Sequence, residues 1–383
     1  MRRHWTLDPA VAFLNHGSFG ACPAEVLEAQ QRLRARIERE PVRFFSRELE
    51  ALLAEARAAL AAFVGADAED LAFVANATTG VATVLAARAF GPGDQILVTD
   101  HAYQACRNAV DRAAARSGAR VVVARVPFPI ANEAEAQDAV LAAATSRTRL
   151  ALVDHVASPT ALVFPIAPIV RALDARGIDV LVDGAHAPGM LPLDLRAIGA
   201  AYYTGNAHKW LCAPKGAAFL HVRRDRQGGL RPLVTSHGAS STRTDRSRFR
   251  LEFDWTGTDD PTAWLCVPEA IRVVAALAPG GFVEVMTRNH ALALTARATL
   301  CRALGVPPPC PDAMIGSIAA VPLRDGDADS LRDALLFDHG IEVPIVPWPA
   351  PPRRLVRISA QLYNEPEEYQ RLAGALSRLR AGA

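Results

Sequence analysis

The chain has 383 residues, 50% of them hydrophobic and 21% charged, with 42 Lys and Arg against 40 Asp and Glu for a formal charge of +2. This excludes wholesale disorder and a dedicated nucleic-acid binder, which carries a concentrated basic excess. The apolar runs fall short of the ~18 residues of a membrane span, and Asp8-Pro9 stands where a secretory signal would need an apolar stretch.

In chain order, residues 23–40 and 47–63 read as two helices separated by Pro41. From about 71 to 223, short β-rich runs alternate with amphipathic ones. Strands are predicted at 71–75, 95–99, 120–125, 149–154, 179–182, 202–204 and 217–222. Helices are predicted at 78–89, 103–117, 132–144 and 166–176. Strands alternating with helices of this length make βαβ units, and wholly apolar strands imply a parallel or mixed sheet buried on both faces. Ligands of such folds bind beyond the carboxyl ends of the strands. Residues 235–250 are polar and read as a mobile loop. Helices follow at 263–277 and 281–304. A strand (315–322), a helix (328–339), two strands (341–345, 355–359) and a helix (365–380) then form a compact α+β unit.

Six cysteines are scattered with no CxxC pair, so they read as reduced cytosolic thiols. Only two of the basic residues are lysines, Lys209 and Lys215. A coding bias that favours arginine leaves lysine where an amine must lose its proton, which guanidinium effectively cannot do.

Three features sit at predicted strand ends. Asp183 ends Val180-Leu181-Val182-Asp183, with His186 three residues on; a carboxylate there pairs with a cation or caps a helix. A metal reading joins these two with His101. The loop Tyr203-Thr204-Gly205-Asn206-Ala207-His208-Lys209-Trp210 presents Asn206, His208 and Lys209 together, whereas Lys215 reads as a solvated turn residue. Asn76-Ala77-Thr78-Thr79-Gly80 starts a helix whose free N–H groups and hydroxyls suit a phosphate, or simple capping by Asn76 or Thr78. Lysine, carboxylate and anion site together describe pyridoxal phosphate.

These segments occur in the order Asn-Ala-Thr-Thr (76–79), Asp-His-Ala-Tyr (100–103), Val-Asp-Gly-Ala-His (182–186), His-Lys-Trp (208–210), Trp-Thr-Gly-Thr (255–258) and Arg-Ile-Ser-Ala-Gln-Leu-Tyr-Asn (357–364). The chain resembles the class V aminotransferase fold family over nearly its whole length, in particular the isopenicillin N epimerase-like branch. The resemblance implies an α/β, fold type I pyridoxal-phosphate transferase. Its large domain (23–270) holds a mostly parallel seven-stranded sheet, with a smaller C-terminal α+β domain (271–383) and an N-terminal segment (1–22) packed on the small domain. It makes Lys209 the Schiff-base lysine and Asp183 the partner of the pyridine nitrogen. His186 would bond the ring hydroxyl, and Thr78, Thr79, Asn206 and His208 would hold the phosphate. Thr258 would reach it from the second subunit of a homodimer. Tyr103, or else His101, would lie over the ring. Arg357 would take the substrate carboxylate, with Arg43 and Asn15 on the substrate side. The loop 343–352 lacks the nucleophilic cysteine of related desulfurases, and Cys310 is too far upstream to replace it.

Several reactions share this start. Epimerisation needs a second acid/base facing Lys209, for which Tyr103, His101 or His16 are candidates. β-Elimination of a C–S bond needs an acid near the leaving group, and transamination needs Lys209 alone. The leading expectation is a cytoplasmic epimerase or racemase of an amino-acid-type substrate, with a C–S lyase as the alternative. A metal-dependent hydrolase using Asp183 and His186 and a pseudoenzyme are the competing classes. Arg243, Arg246, Arg248 and Arg250 read as a solvated loop.

Overall fold

The seven apolar strands of residues 71–222 pair into one sheet. The computed structural model describes residues 1–381. After a two-residue strand β1 (Ala12–Phe13) come β2 (Leu71–Val74), β3 (Gln95–Thr99), β4 (Arg120–Ala124), β5 (Thr148–Asp154), β6 (Asp179–Asp183), β7 (Tyr202–Asn206) and β8 (Ala218–Val222). Their order is β2-β8-β7-β6-β5-β3-β4, parallel except for β8, which runs antiparallel to both neighbours. Successive residues enter opposite cores. Leu97, Ala151, Val153 and Val182 face one apolar cluster, while Ile96, Val98, Leu150 and Leu152 face the other. The two-residue period therefore buries both faces, and polar groups gather where strands end.

The C-terminal part forms a three-stranded antiparallel sheet, β11-β12-β9, from β9 (Ile318–Pro322), β11 (Ile345–Pro347) and β12 (Arg354–Ser359). The expected single strand at 341–345 divides. Its first half, β10 (Ile341–Glu342), pairs parallel with β1, and its second half joins β12. Pro344 between them has no N–H to continue a ladder. The strand β1 escapes the sequence reading because two residues carry no periodicity. Ser359 N–H also donates to Leu14 O, so residues 12–14 are held by the C-terminal part.

The expected helix at 263–277 breaks at Cys266 into Thr262–Leu265 and Val267–Ala276, with Pro268 in the first turn of the second piece. The segment 235–250 also differs from expectation. It contains a turn of 3-10 helix at His237–Ser240 and the start of helix Arg248–Phe253, capped by Ser247. Arg243 and Arg246 pair with Glu50, and Arg250 is buried against Asp254 and Glu69. No single described helix is long and apolar enough to cross a membrane.

Candidate active site

The carboxyl ends of β5, β6 and β7 open onto a cavity of about 510 Å³. Thr78, Tyr103, Asp183, His186, Asn206, His208, Lys209 and Arg357 all line it. They come from the ends of β2 (Thr78), β3 (Tyr103), β6 (Asp183, His186) and β7 (Asn206, His208, Lys209) and, for Arg357, from β12.

Lys209 is fixed from below by its backbone. Asn206 Oδ1 at the end of β7 accepts from Ala77 N–H at 2.8 Å, and the Ala207 and His208 N–H groups bond Ala217 O. His16 bonds Lys209 O through Nε2 at 3.0 Å and the Tyr363 hydroxyl through Nδ1 at 2.8 Å. Gly20 presses on the same loop at φ +72°, where an added Cβ would lie 2.1 Å from His208 O. The lysine Nζ lies 3.2 Å from His186 Nε2. Burial, and then the Arg357 charge, bring its pKa down from 10.5 to about 7, with Asp183 opposing. His186 is held well below its usual range by burial and by Lys209, so it is neutral. In the cofactor-free protein, acylation of the Lys209 amine should be half-maximal near pH 7 when labelling is followed by mass spectrometry. A midpoint near the ordinary lysine value would contradict this assignment.

Asp183 is buried at the end of β6. Its Oδ1 accepts from Ala185 N–H at 3.0 Å and its Oδ2 from Cys106 Sγ at 3.2 Å. Burial raises its pKa, while those two bonds and Lys209 favour the anion. Arg357 is about 5% exposed and donates to Ser158 O (2.6 Å), Ser158 Oγ (2.9 Å) and Ser18 Oγ (3.1 Å). Its Nε has no partner, and burial lowers its pKa to about 10. Its hydrogen-bond partners are all neutral, and a desolvated guanidinium surrounded by neutral acceptors is a receptor for an anion.

Other expected residues lie elsewhere. His101 is fully buried, with Nδ1 bonded to Thr160 Oγ1 (2.8 Å) and Nε2 to Val126 O (3.0 Å), and it packs edge-on against Trp348. It therefore neither covers the cavity nor joins Asp183 and His186. Among the described residues no three His, Cys, Asp or Glu side chains converge as metal ligands. His16 has both ring nitrogens engaged and acts through the Lys209 carbonyl, which removes it as a second acid/base. The Thr79 hydroxyl donates to Asn76 Oδ1, so Thr79 serves the helix cap while Thr78 lines the cavity. Asn15 stands one step back: Ser18 Oγ donates to its Oδ1 at 2.5 Å, and Asn15 Nδ2 donates to Glu342. Arg43 is exposed and ion-paired to Glu40 and Glu48, and Thr258 is exposed; neither lines this chain's cavity. Lys215 is exposed.

The sequence reading missed Asp154, Ser158, Ser18 and Cys106. Asp154 carried the same signal as Asp183, a carboxylate ending an apolar strand. The serines and the thiol carried none.

Residues 20–372 match the family described as aminotransferase class V. The chain is 38% identical to an isopenicillin N epimerase of Amycolatopsis lactamdurans, covering 99% of this chain and 97% of that protein. It is 34% identical to a probable chloroplastic L-cysteine desulfhydrase of Arabidopsis thaliana, covering 97% and 83%. Its fold superposes on a mutant of C-DES with glycine covalently linked to the PLP cofactor, at a TM-score of 0.83 and 22% identity, covering 98% and 99% of the two chains. It superposes likewise on a complex between the cystine C–S lyase C-DES and its reaction product cysteine persulfide, at a TM-score of 0.80 and 23% identity, covering 96% and 97% of the two chains.

Proposed function

The chain belongs to the aminotransferase class V family of pyridoxal-phosphate-dependent enzymes, and we propose that it labilises the α-carbon–hydrogen bond of an amino-acid-type substrate and acts as an epimerase. The observation that carries this is the placement of Lys209 in the cavity where the strand-end loops meet, its Nζ 3.2 Å from His186 Nε2, with burial lowering its pKa to about 7.

The residues fit the cofactor. Two buried polar atoms, His186 Nδ1 and Arg357 Nε, lack partners and belong to cavity-lining side chains. Lys209 would hold the aldehyde carbon, Asp183 the ring nitrogen, and Thr78 with the helix N-terminus, Asn206 and His208 the phosphate. When bound, pyridoxal phosphate supplies an electron sink for the pair left at the α-carbon.

The chain's own groups do the rest. Arg357, steadied by Ser158 and Ser18, orients the α-carboxylate and so presents the α-hydrogen. The Lys209 amine removes that proton, its lowered pKa matching the task at neutral pH. Neutral His186 accepts or donates at Nε2 without adding positive charge beside the amine. Tyr103 lines the cavity and is half exposed, which supports it as the group that returns a proton on the opposite face.

A second reading, β-elimination at a C–S bond, has its own support. Both imidazoles considered for the second face are locked in other bonds, and elimination needs no second base. Incubation of the holoenzyme with single-enantiomer amino acids in deuterated water separates the two. Epimerisation gives deuterium at the α-carbon together with loss of optical rotation. Elimination from cysteine or cystine gives a sulfur product and pyruvate. Absence of α-deuterium exchange and of both products across the substrate set would overturn the reading.

We read the protein further as a cytoplasmic homodimer. All six cysteines are free and buried, which supports a reducing compartment. Arg43 and Thr258, outside their own cavity, are candidates for a partner's cavity, and equilibrium sedimentation tests the association.

A further inference from the structure

Two carboxylates end adjacent parallel strands. Asp154 closes β5 and Asp183 closes β6, and the two are register partners in the sheet. Each is about 3% exposed, and both line the cavity. Two buried anions side by side repel, and the low-energy arrangement keeps a proton on one of them.

Their hydrogen-bond partners decide which. Asp183 accepts at both oxygens, from Cys106 Sγ and Ala185 N–H, and Lys209 favours its charge. The backbone N–H groups of Tyr103 and of Asp154 itself favour its charge, but less than burial and Asp183 oppose it. Its Oδ2 has no partner, and no cation favours its charge. An anionic oxygen that is buried and unbonded carries the full desolvation penalty, whereas a neutral acid avoids most of it.

We propose that Asp154 is a positioning residue: a neutral carboxylic acid that keeps the single negative charge of the pair on Asp183. Cys106, a thiol that burial and Asp183 keep protonated, completes the arrangement by donating to the charged member. The consequence for the cofactor rests on the pyridoxal-phosphate reading above, because it is Asp183 that would meet the ring nitrogen. The protonation state itself belongs to the cofactor-free chain.

The test has two arms. In the first, the infrared spectrum of cofactor-free wild-type protein at neutral pH should show a protonated-carboxyl C=O band that disappears in Asp154→Asn. No such band in the wild type, or its persistence in Asp154→Asn, overturns the proposal. In the second, pyridoxal phosphate affinity and the visible band of the bound cofactor are measured by titration. Asparagine mimics a neutral acid and should keep both, with affinity within about threefold of wild type. Asp154→Ala removes the polar group beside Asp183 and should weaken affinity by about tenfold or more. Equal weakening in the two variants, or no weakening in Asp154→Ala, would count against the proposal. If Asp154→Ala does not fold, the infrared arm and Asp154→Asn still decide. A wild type that binds no pyridoxal phosphate overturns the proposed function and leaves the infrared arm to judge the protonation state alone.

Discussion

Lys209→Ala is expected to reduce turnover by about 10²- to 10⁴-fold, the range for removing a positioned proton-transfer group. Borohydride treatment of the wild-type holoenzyme should fix the cofactor on the peptide containing Lys209, and the variant should yield no adduct. A second consequence concerns stability. The folded-state pKa of about 7 lies below the ordinary 10.5. Between those values the unfolded chain binds more protons than the folded one, so the wild type gains stability as pH rises through that window. The alanine variant lacks this contribution. Denaturant unfolding of both cofactor-free proteins from pH 7 to 10 should therefore show their stability difference moving in favour of the wild type, at roughly 1.4 kcal/mol per pH unit at most. A difference independent of pH would mean that the amine keeps an ordinary pKa.

Arg357→Met should lower kcat/KM by about 10²- to 10³-fold, as expected for a desolvated guanidinium that meets a carboxylate. Most of the loss should appear in KM, because the group binds the substrate before and during reaction. Arg357→Lys keeps the charge and loses the two-pronged fork, so it should fall between the two. The visible spectrum of the bound cofactor should be the same in all three proteins. A changed spectrum would move Arg357 from the substrate to the cofactor. Equal activity of the lysine variant and the wild type would remove the bidentate contact.

The positions of Lys209 and Asp183 were readable because each broke a local pattern. One was a lysine in an arginine-rich chain, and the other a carboxylate at the end of an apolar run. Strand-end placement then brought both to one cavity. His101 shows where such reading stops. It stands two residues beyond the end of β3, yet the turn aims its ring at Thr160 and Val126. Sequence proximity to a strand end gives the rim, and the turn decides which way the side chain points. Asp154 failed for the opposite reason: its signal was present, a carboxylate ending the predicted strand 149–154, but no second polar motif followed it as His186 follows Asp183. Ser18 and Ser158 became visible only as partners of Arg357, which lies 339 and 199 residues away from them in sequence. The two-residue β1 was unreadable because its order comes from pairing with β10 and not from local periodicity.

The hold of residues 12–20 on the lysine loop has a consequence for biosynthesis. Ala12 pairs with Ile341, Asn15 bonds Glu342, and Leu14 bonds Ser359, while His16 and Gly20 of the same segment rest on His208 and Lys209. A segment made early must wait for one made hundreds of residues later before it can take its place. The βαβ core is built from contacts of short and medium range and can form earlier. A nascent chain halted after β8 would thus own the lysine and its acidic neighbours, but neither Arg357 nor the strands that seat His16. Formation of the lysine loop and arrival of Arg357 are thus separate events in time.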